Sequence, residues 1–244
     1  GKTSFALSLA KNAAVDYKIP VGFFSLEMNN VQLVNRLISN TCRIKGSKIL
    51  NGQLAPDEWE RLDKNLSQLT GSPIYIDDTP GLSVFELRTK ARRLVREKGV
   101  QLIMIDYLQL MNANGMRFNN RQEEVSTISR SLKGLAKELN IPIIALSQLN
   151  RTVENREGQG IDGKRPQLSD LRESGAIEQD ADMVVFVHRP EYYHILQDEK
   201  GNNLKGMAQI IIAKHRKGAT KDVLLTFKGE YTTFLNPEEN QFTP

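Results

Sequence analysis

Short apolar runs alternate along the chain with longer segments in which apolar residues recur every three or four positions. The apolar runs lie at residues 21–26, 74–76, 102–105, 143–146 and 183–187. The periodic segments predict helices near residues 31–40, 56–69, 84–98 and 122–139. Because parallel strands are buried on both faces and are joined through helices, this alternation is typical of a parallel sheet covered by helices. We therefore predict an α/β fold.

Local signals add detail to three of the helices. Residues 4–15 predict a first helix, with Phe5, Leu9 and either Leu7 or Ala13 on its buried face. The helix near residues 84–98 opens with a capping-box pattern, Ser83-Val84-Phe85-Glu86. In the helix near residues 122–139 we expect one buried stripe, formed by Val125, Ile128, Leu132, Leu135 and Leu139.

The pattern changes after residue 183. Residues 208–213, 223–227 and 232–235 form short runs joined by polar turns, which predict antiparallel strands. The sequence contains no internal repeat, low-complexity tract or linker. We therefore predict one domain over residues 1–244, with a mostly parallel sheet flanked by helices and an antiparallel C-terminal extension.

Composition narrows the class of protein. The 244 residues are 39% hydrophobic and 25% charged, as in a soluble globular chain, and the net charge of +4 allows a polyanionic partner. The single cysteine, Cys42, excludes an internal disulfide and fits a reducing compartment. His188, His194 and His215 lack metal-ligand spacing, which argues against structural zinc. Because no run approaches the roughly 18 apolar residues of a membrane helix, we expect a cytoplasmic protein that does not enter a membrane.

The first three residues suggest nucleotide chemistry. Gly1-Lys2-Thr3 matches the end of a phosphate-binding loop of the form G-x-x-x-x-G-K-[ST], and the sequence begins partway through that pattern. In such loops the Lys reaches the β- and γ-phosphates and the Thr hydroxyl coordinates Mg²⁺. The helix that follows would present its N-terminal N–H groups to a phosphate. The alternative is a common tripeptide at a helix start.

Polar residues follow three of the predicted strands. Asp106 ends the run 102–105 in the Walker B arrangement, in which a carboxylate helps to hold Mg²⁺. Glu27 could polarise an attacking water, and Gln148 could sense a γ-phosphate. Each residue taken singly could instead cap a strand or begin a turn. Because open α/β sheets bind ligands at the carboxyl ends of their strands, we expect these residues to converge on one site.

Six segments together resemble the C-terminal motor domain of bacterial replicative helicases of the DnaB type. The segments are Gly1-Lys2-Thr3, Phe24-Ser25-Leu26-Glu27-Met28, Ile105-Asp106-Tyr107-Leu108-Gln109-Leu110, Ser147-Gln148-Leu149-Asn150-Arg151, the run from Asp170-Leu171-Arg172-Glu173-Ser174-Gly175 to Asp182, and Ala213-Lys214-His215-Arg216. The resemblance covers nearly the whole chain, and its Leu-Arg-Glu-Ser-Gly segment is more specific than any Walker motif.

The resemblance implies a RecA-like P-loop NTPase fold and a hexameric ring with ATP between neighbouring subunits. Gly1, Lys2 and Thr3 would then bind the nucleotide phosphates and Mg²⁺. Glu27 would be the catalytic base, Asp106 the Walker B residue, and Gln148 the γ-phosphate sensor. Compared with the family pattern, we expect this chain to be truncated at its N-terminus: the N-terminal domain, the linker helix, the first core strand and the glycine-rich start of the phosphate loop are missing from it.

The same resemblance implies a role for a basic turn near the end of the chain. Lys214 and Arg216 would act in trans, as a finger pair on the ATP of the next subunit. Composition alone favours a solvated basic turn for residues 214–218.

Two polar, glycine-containing stretches could contact nucleic acid. Residues 112–121 include Arg117 and Arg121, and residues 151–165 contain four cations and three glycines. Such stretches suit the backbone of a single strand, because phosphates need cations and close backbone approach. Composition alone favours solvated surface loops, whereas the resemblance implies loops that face the central pore.

The resemblance also implies that Arg172, Glu173 and Gly175 are the principal phosphate contacts. We therefore predict an ATP-dependent helicase that moves on single-stranded DNA as a homohexamer and works with a primase and a helicase loader. The alternatives are a recombinase-type ATPase of the same fold, which would form filaments, and a noncatalytic fragment that binds partners without turning over nucleotide.

Overall fold

The structure is a computed structural model that describes residues 1–115, 117–150, 156 and 163–237. For residues 172–175 it describes the backbone alone. The chain divides into two compact units, which we describe one at a time. The first unit holds Lys2–Gln148 and Glu230–Thr232, and the second holds Leu149–Gly229, Gly1 and the residues from Thr233 onward.

A four-stranded parallel sheet forms the centre of the first unit, as predicted. Its strands are β1 (Val21–Ser25), β2 (Ile74–Asp77), β3 (Leu102–Asp106) and β4 (Ile143–Ala145). The spatial order is β2-β1-β3-β4, and each neighbouring pair is parallel. All five residues of β1 are buried, because its apolar run is covered on both faces of the sheet.

The described part of the first unit also contains six α-helices. They are α1 (Lys2–Lys11), α2 (Asn30–Cys42), α3 (Gly46–Asn51), α4 (Pro56–Thr70), α5 (Val84–Lys98) and α6 (Arg121–Leu139). A π-helical turn, Asn12–Asp16, continues α1, and a short 3₁₀ turn, Leu108–Leu110, follows β3. The six-residue α3 was not predicted, because so short a helix shows no apolar period in the sequence.

Capping residues set the bounds of α5. The Ser83 hydroxyl accepts the Glu86 N–H at 3.2 Å, and the Glu86 carboxylate accepts the Ser83 N–H at 3.0 Å. This is the predicted capping box. At the other end Gly99 adopts a φ of 63°, a left-handed conformation that glycine enters without steric cost. Because both signals stand in the sequence, α5 has the predicted bounds.

The buried face of α1 differs from the prediction. Phe5 is partly exposed and Leu9 is 36% exposed, whereas Ala6, Leu7 and Ala10 are buried in the core of the first unit. Of the two alternatives for the third position, Leu7 is therefore the buried one. The cluster that holds Ala6, Leu7 and Ala10 includes sheet residues, whereas Phe5 and Leu9 do not belong to it.

The buried stripe of α6 agrees with its prediction in four of five positions. Val125, Ile128, Leu132 and Leu135 are buried, and Leu139 is partly exposed at the end of the helix.

The second unit contains a four-stranded antiparallel sheet. Its strands are β5 (Met183–His188), β6 (Met207–His215), β7 (Lys221–Lys228) and β8 (Thr233–Leu235), in sequential order. Before β5, a 3₁₀ segment, Leu168–Ser174, leads into α7 (Gly175–Asp180). The antiparallel extension was predicted correctly.

The assignment of residues 183–187 to the parallel set was wrong. This segment is β5, which pairs antiparallel with β6. Parallel neighbours need a crossover, usually a helix, and the short 3₁₀ turn Pro190–Tyr193 is the only helical element between β5 and β6 in the described chain.

Across the described ranges, the helices lack the combination of length and apolar character that crossing a membrane requires.

Candidate nucleotide site

The carboxyl ends of three parallel strands bring the predicted site residues to one edge of the sheet. Ser25 of β1 is in register with Asp106 of β3, and Glu27 follows two residues later. Ala145 of β4 is in register with Ile105, so Gln148 leaves the sheet at the same edge. The expected convergence of Glu27, Asp106 and Gln148 at strand ends is therefore observed in the backbone of the first unit.

Asp106 is the electrostatic centre of this edge. Its side chain is 1% exposed, and this burial raises the pKa of the carboxyl group. The nearby Thr3 hydroxyl lowers that pKa, the Glu27 carboxylate raises it, and the cations Lys2 and Arg36 lower it, with a net rise. Thr3, Glu27, Lys2 and Arg36 therefore all lie close enough to act on one buried carboxylate.

The Asp106 carboxylate has unused capacity to bind a cation. The Thr3 hydroxyl is near the carboxylate, but within the described chain neither Oδ1 nor Oδ2 of Asp106 has a partner with good hydrogen-bond geometry. A buried anion without such partners is costly, and a bound cation would offset the cost. Asp106 and the Thr3 hydroxyl therefore fit a Mg²⁺ ion carried by a nucleotide.

The first turn of α1 contains Lys2 and Thr3, the predicted phosphate-binding residues. The helix begins at Lys2, and Lys2 and Thr3 are half-buried. The first N–H groups of any helix lack intrahelical partners and carry partial positive charge, which suits an anion. Gly1 is exposed and belongs to the second unit, where an added Cβ would lie 3.4 Å from the Arg189 Cδ.

A hydrogen-bonded turn holds Glu27 after β1. The Ser25 hydroxyl donates to the Met28 carbonyl at 2.7 Å, and the Met28 N–H donates to the Ser25 Oγ at 3.2 Å. The Leu26 N–H donates to the Asp106 carbonyl at 2.6 Å, which joins the turn to the end of β3. Glu27 is exposed at this turn, where its carboxylate can reach a ligand or water.

The backbone of Gln148 is held by Gln109, for which the sequence predicts no such role. The Gln109 Nε2 donates to the Ser147 Oγ at 2.8 Å and to the Gln148 carbonyl at 3.2 Å. The Gln148 N–H donates in turn to the Gln109 Oε1 at 3.2 Å. Gln109 belongs to the segment that follows β3 and contains Asp106. Its contacts are with residues 38 and 39 positions further along the chain, so no local pattern in the sequence marks them.

The two arginines of residues 112–121 differ in their surroundings. Arg117 is exposed. Arg121, the first residue of α6, donates to the carbonyl oxygens of Gln109 at 2.7 Å and Met111 at 2.9 Å and pairs with Glu124. A DNA contact stays a prediction for both arginines, while Arg121 already stabilises the turn after β3. Met116 lies outside the described residues.

Most of the second predicted DNA stretch, residues 151–155 and 157–162, lies outside the described residues. Its described cations are engaged within the second unit. Arg156 pairs with the buried Asp170, and its guanidinium also donates to the Arg165 carbonyl at 3.0 Å. Arg165 pairs with Asp222 at 2.7 Å.

The segment predicted to bind DNA phosphates leads directly into α7. Arg172 and Glu173 belong to the 3₁₀ segment, and Gly175 is the first residue of the helix. Their side chains lie outside the description, so their phosphate contacts stay predictions.

The predicted finger pair contacts the other end of α7. Lys214 donates to the Glu178 carbonyl and, at 3.5 Å, to the Gln179 carbonyl. The Arg216 guanidinium also donates to the Gln179 carbonyl. Cations at these positions satisfy carbonyl groups that a helix end leaves without partners. Action in trans stays a prediction for both residues.

A parallel sheet with a buried carboxylate at the end of one strand, next to a helix that begins at Lys2, defines a P-loop NTPase fold. The family profile of the "DnaB-like helicase C terminal domain" matches residues 1–236. The chain belongs to that family.

Curated relatives of the chain are replicative helicases. It is 48% identical over 238 residues to the replicative DNA helicase DnaB of Geobacillus stearothermophilus and equally to the replicative DNA helicase DnaC of Bacillus subtilis (strain 168). Each match covers 98% of this chain and 50% of the relative. The chain thus spans about half the length of these relatives.

Two solved structures share the fold. The first is a DnaB-like replicative helicase, described with its interactions with primase. It has a TM-score of 0.86 and 41% identity over 97% of this chain and 54% of its own. The second is an ATPase domain, with a TM-score of 0.86 and 40% identity over 96% of this chain and 80% of its own. The RecA-like P-loop NTPase fold is therefore confirmed.

Proposed function

We propose that this chain is the motor domain of a replicative DNA helicase, which hydrolyses ATP to move on single-stranded DNA and unwind duplex. The observation that carries the proposal is the buried Asp106 carboxylate, with Lys2, Thr3 and Glu27 all close enough to change its pKa. Membership of the DnaB-like family supports the link from nucleotide to DNA.

The start of α1 would bind the nucleotide phosphates through its N–H groups and the Lys2 ammonium group. The Thr3 hydroxyl and the Asp106 carboxylate would hold Mg²⁺. When bound, this ion neutralises negative charge that develops between the β- and γ-phosphates. Asp106 would then gain a cation in direct contact, in addition to the nearby charges of Lys2 and Arg36.

Glu27 would act as the general base. Its exposed carboxylate stands on the turn beside the end of β3, where it can accept a proton from the attacking water. Gln148 would sense the γ-phosphate or orient that water. Lys214 and Arg216 would reach the ATP of the next subunit and stabilise charge on its γ-phosphate.

The partners follow from the family and the charge. We propose a homohexameric ring on single-stranded DNA in the cytoplasm, with Arg117, Arg121, Arg172, Glu173 and Gly175 facing the strand. A primase partner is supported by a solved relative that is described with its interactions with primase. DNA binding is supported by the net charge of +4, which suits a polyanion. A helicase loader would place the ring on DNA.

The test combines ATP hydrolysis with strand displacement in protein that carries a complete phosphate loop. Glu27→Gln should bind ATP and assemble normally but lose hydrolysis and unwinding, because the amide keeps the size of the side chain and removes the base. Lys2→Ala should weaken ATP binding itself. Glu97→Gln, at an exposed position on α5, is the control and should behave as the unchanged protein.

The same assays separate the alternatives. A recombinase-type ATPase would hydrolyse ATP and coat DNA as a filament without displacing a strand. A noncatalytic fragment would bind partners with hydrolysis at background in every variant. Hydrolysis that persists in both Lys2→Ala and Glu27→Gln would overturn the proposed site.

A further inference from the structure

Gln109 extends the pairing of two strands beyond the end of the sheet. The register of β3 and β4 ends at Ile105 and Ala145, and the Leu108 N–H then donates to the Leu146 carbonyl at 2.8 Å. Beyond that point the Gln109 side chain bonds both the N–H and the carbonyl of Gln148, each at 3.2 Å. A carboxamide can do this because it has both a donor and an acceptor.

Arg121 supports the turn from which Gln109 extends. A single guanidinium nitrogen donates to the carbonyl oxygens of Gln109 and Met111, and another contacts Glu124. The Glu124 carboxylate also accepts the Ala113 N–H at 3.0 Å. The first turn of α6 thus holds the backbone on both sides of Met111. Two hydrogen-bonded steps therefore connect Arg121 to the backbone of Gln148.

We propose that Gln109 and Arg121 are positioning residues that hold Gln148 for its part in ATP hydrolysis. The inference rests on the proposed role of Gln148 as the γ-phosphate sensor. Gln109 bonds the backbone of Gln148 and leaves the exposed Gln148 side chain able to meet a ligand. Arg121 is thereby assigned a second role, beside its predicted one in DNA contact.

The test is a double-mutant cycle on ATP hydrolysis at saturating single-stranded DNA, in full-length protein. Gln109→Ala should lower kcat about tenfold, which corresponds to a hydrogen bond of the usual strength, and should leave KM for ATP within about twofold. Because Gln109 acts through Gln148, the Gln109→Ala and Gln148→Ala double variant should be no slower than Gln148→Ala alone. A residue with a merely structural role would give additive losses.

Two further variants and a control complete the test. Gln109→Glu has the same size but loses the donor, so it should reproduce the fall in kcat while folding normally. Arg121→Lys keeps the charge and loses the planar fork, so kcat should fall in it as well. Gln122→Ala, which changes the exposed neighbour at the same helix start, should leave kcat unchanged.

The outcomes distinguish a failure of the sensor role of Gln148 from a failure of the positioning role of Gln109. If Gln148→Ala hydrolyses ATP at the normal rate, the sensor role is overturned and the positioning inference with it. If Gln148→Ala is slow but Gln109→Ala lowers kcat additively on top of it, the positioning inference alone is overturned. An unchanged kcat in both Gln109→Ala and Gln109→Glu would also overturn it.

Discussion

Ser25 and Met28 exchange two hydrogen bonds across the turn that carries Glu27. The Ser25 hydroxyl donates to the Met28 carbonyl at 2.7 Å and accepts the Met28 N–H at 3.2 Å. Ser25 is 1% exposed, so water cannot replace these bonds without a change in the turn. The position of the proposed general base therefore depends on a buried hydroxyl two residues before it.

We expect Ser25→Ala to lower kcat for ATP hydrolysis by about 10-fold to 100-fold, because a small displacement of a catalytic group costs this much. Nucleotide binding should be unchanged, since the start of α1 is intact. Stability should fall by about 1 kcal/mol for the lost hydrogen bonds. Steady-state kinetics and chemical denaturation measure these effects.

Ser39→Ala is the matched control for this prediction. Ser39 is also 1% exposed, and its hydroxyl donates to the Ile44 carbonyl at 2.7 Å, at the end of α2. This variant should lose similar stability and keep its kcat. Equal losses of kcat in the two variants would mean that the Ser25 hydroxyl supports the fold rather than the base.

A second prediction concerns Asp106. We expect its buried carboxylate to reduce the stability of the folded protein even though hydrolysis requires it. Its raised pKa means that the folded state disfavours the charged form. Asp106→Asn should therefore raise the melting temperature, by about 2–4 °C for each kcal/mol gained in a protein of this size, and should abolish Mg²⁺-dependent hydrolysis. A lower melting temperature in the absence of nucleotide would contradict this.

Asp77, at the end of β2, should behave in the opposite way. Partial burial favours the neutral carboxyl group, but the Lys90 ammonium at 2.7 Å and the Thr79 hydroxyl and N–H outweigh it, and the pKa of Asp77 is lowered. Its stabilising contribution is thus fully present above the ordinary value of 3.8 and is lost as pH falls through the lowered pKa.

Asp77→Asn should accordingly cost about 1–2 kcal/mol at pH 7, a range reduced from that for fully buried charged hydrogen bonds because the group is partly exposed. The gap in unfolding free energy between the two proteins should narrow as pH falls below about 4. Urea titrations across this range measure it. A gap that is constant with pH would assign the loss to packing, and Asp63→Asn, at an exposed position on α4, provides the baseline.

The sequence predicted most of the first unit because its signals are local. The buried strands are continuous apolar runs, and α5 carries a capping box at one end and glycine at the other. The buried face of α1 was misjudged because Ala6 and Ala10 are buried beside Leu7, and small alanines give a weaker signal in the sequence than Phe5 and Leu9. The pairing of β5 was misjudged because an isolated apolar run does not state its direction relative to its neighbour.

The sequence marks the strand-end residues of the candidate site, but it does not mark the residues that hold them in place. Glu27, Asp106 and Gln148 each end an apolar run, which is visible in the sequence. Gln109 bonds the backbone of Gln148, which is distant in the sequence, and Arg121 bonds the backbone carbonyl of Gln109. A backbone carbonyl is the same at every residue, so the sequence cannot mark which one a side chain will bond.

A fourth prediction distinguishes the two arginines of residues 112–121. Arg117 is exposed, so Arg117→Ala should weaken single-strand binding about equally for all sequences and lower the salt dependence by roughly one counterion. Arg121 is bonded to the Gln109 and Met111 carbonyls, so Arg121→Ala should change kcat more than the salt slope. Titrations of labelled single strands at several salt concentrations test both. An unchanged slope for Arg117→Ala would remove it from the DNA interface.

The last prediction concerns the subunit on which Arg216 acts. The Arg216 guanidinium donates to the Gln179 carbonyl at the end of α7, and the backbone N–H of Arg216 donates to the Asp182 carbonyl at 2.9 Å. If Arg216 is a finger on the neighbouring ATP, Arg216→Ala should lower hydrolysis on the order of a thousandfold or more and leave the subunit's own phosphate loop intact. Lys217→Ala changes the exposed cation next to it and should have little effect.

Mixing two inactive proteins decides between action in trans and in cis. A Lys2→Ala subunit keeps Arg216, and an Arg216→Ala subunit keeps Lys2, so mixed rings contain interfaces where an intact Lys2 faces an intact Arg216. Recovery of hydrolysis on mixing therefore supports action in trans. If subunits exchange, as fluorescence transfer between labelled proteins would show, and hydrolysis still does not recover, Arg216 acts within its own subunit or outside catalysis.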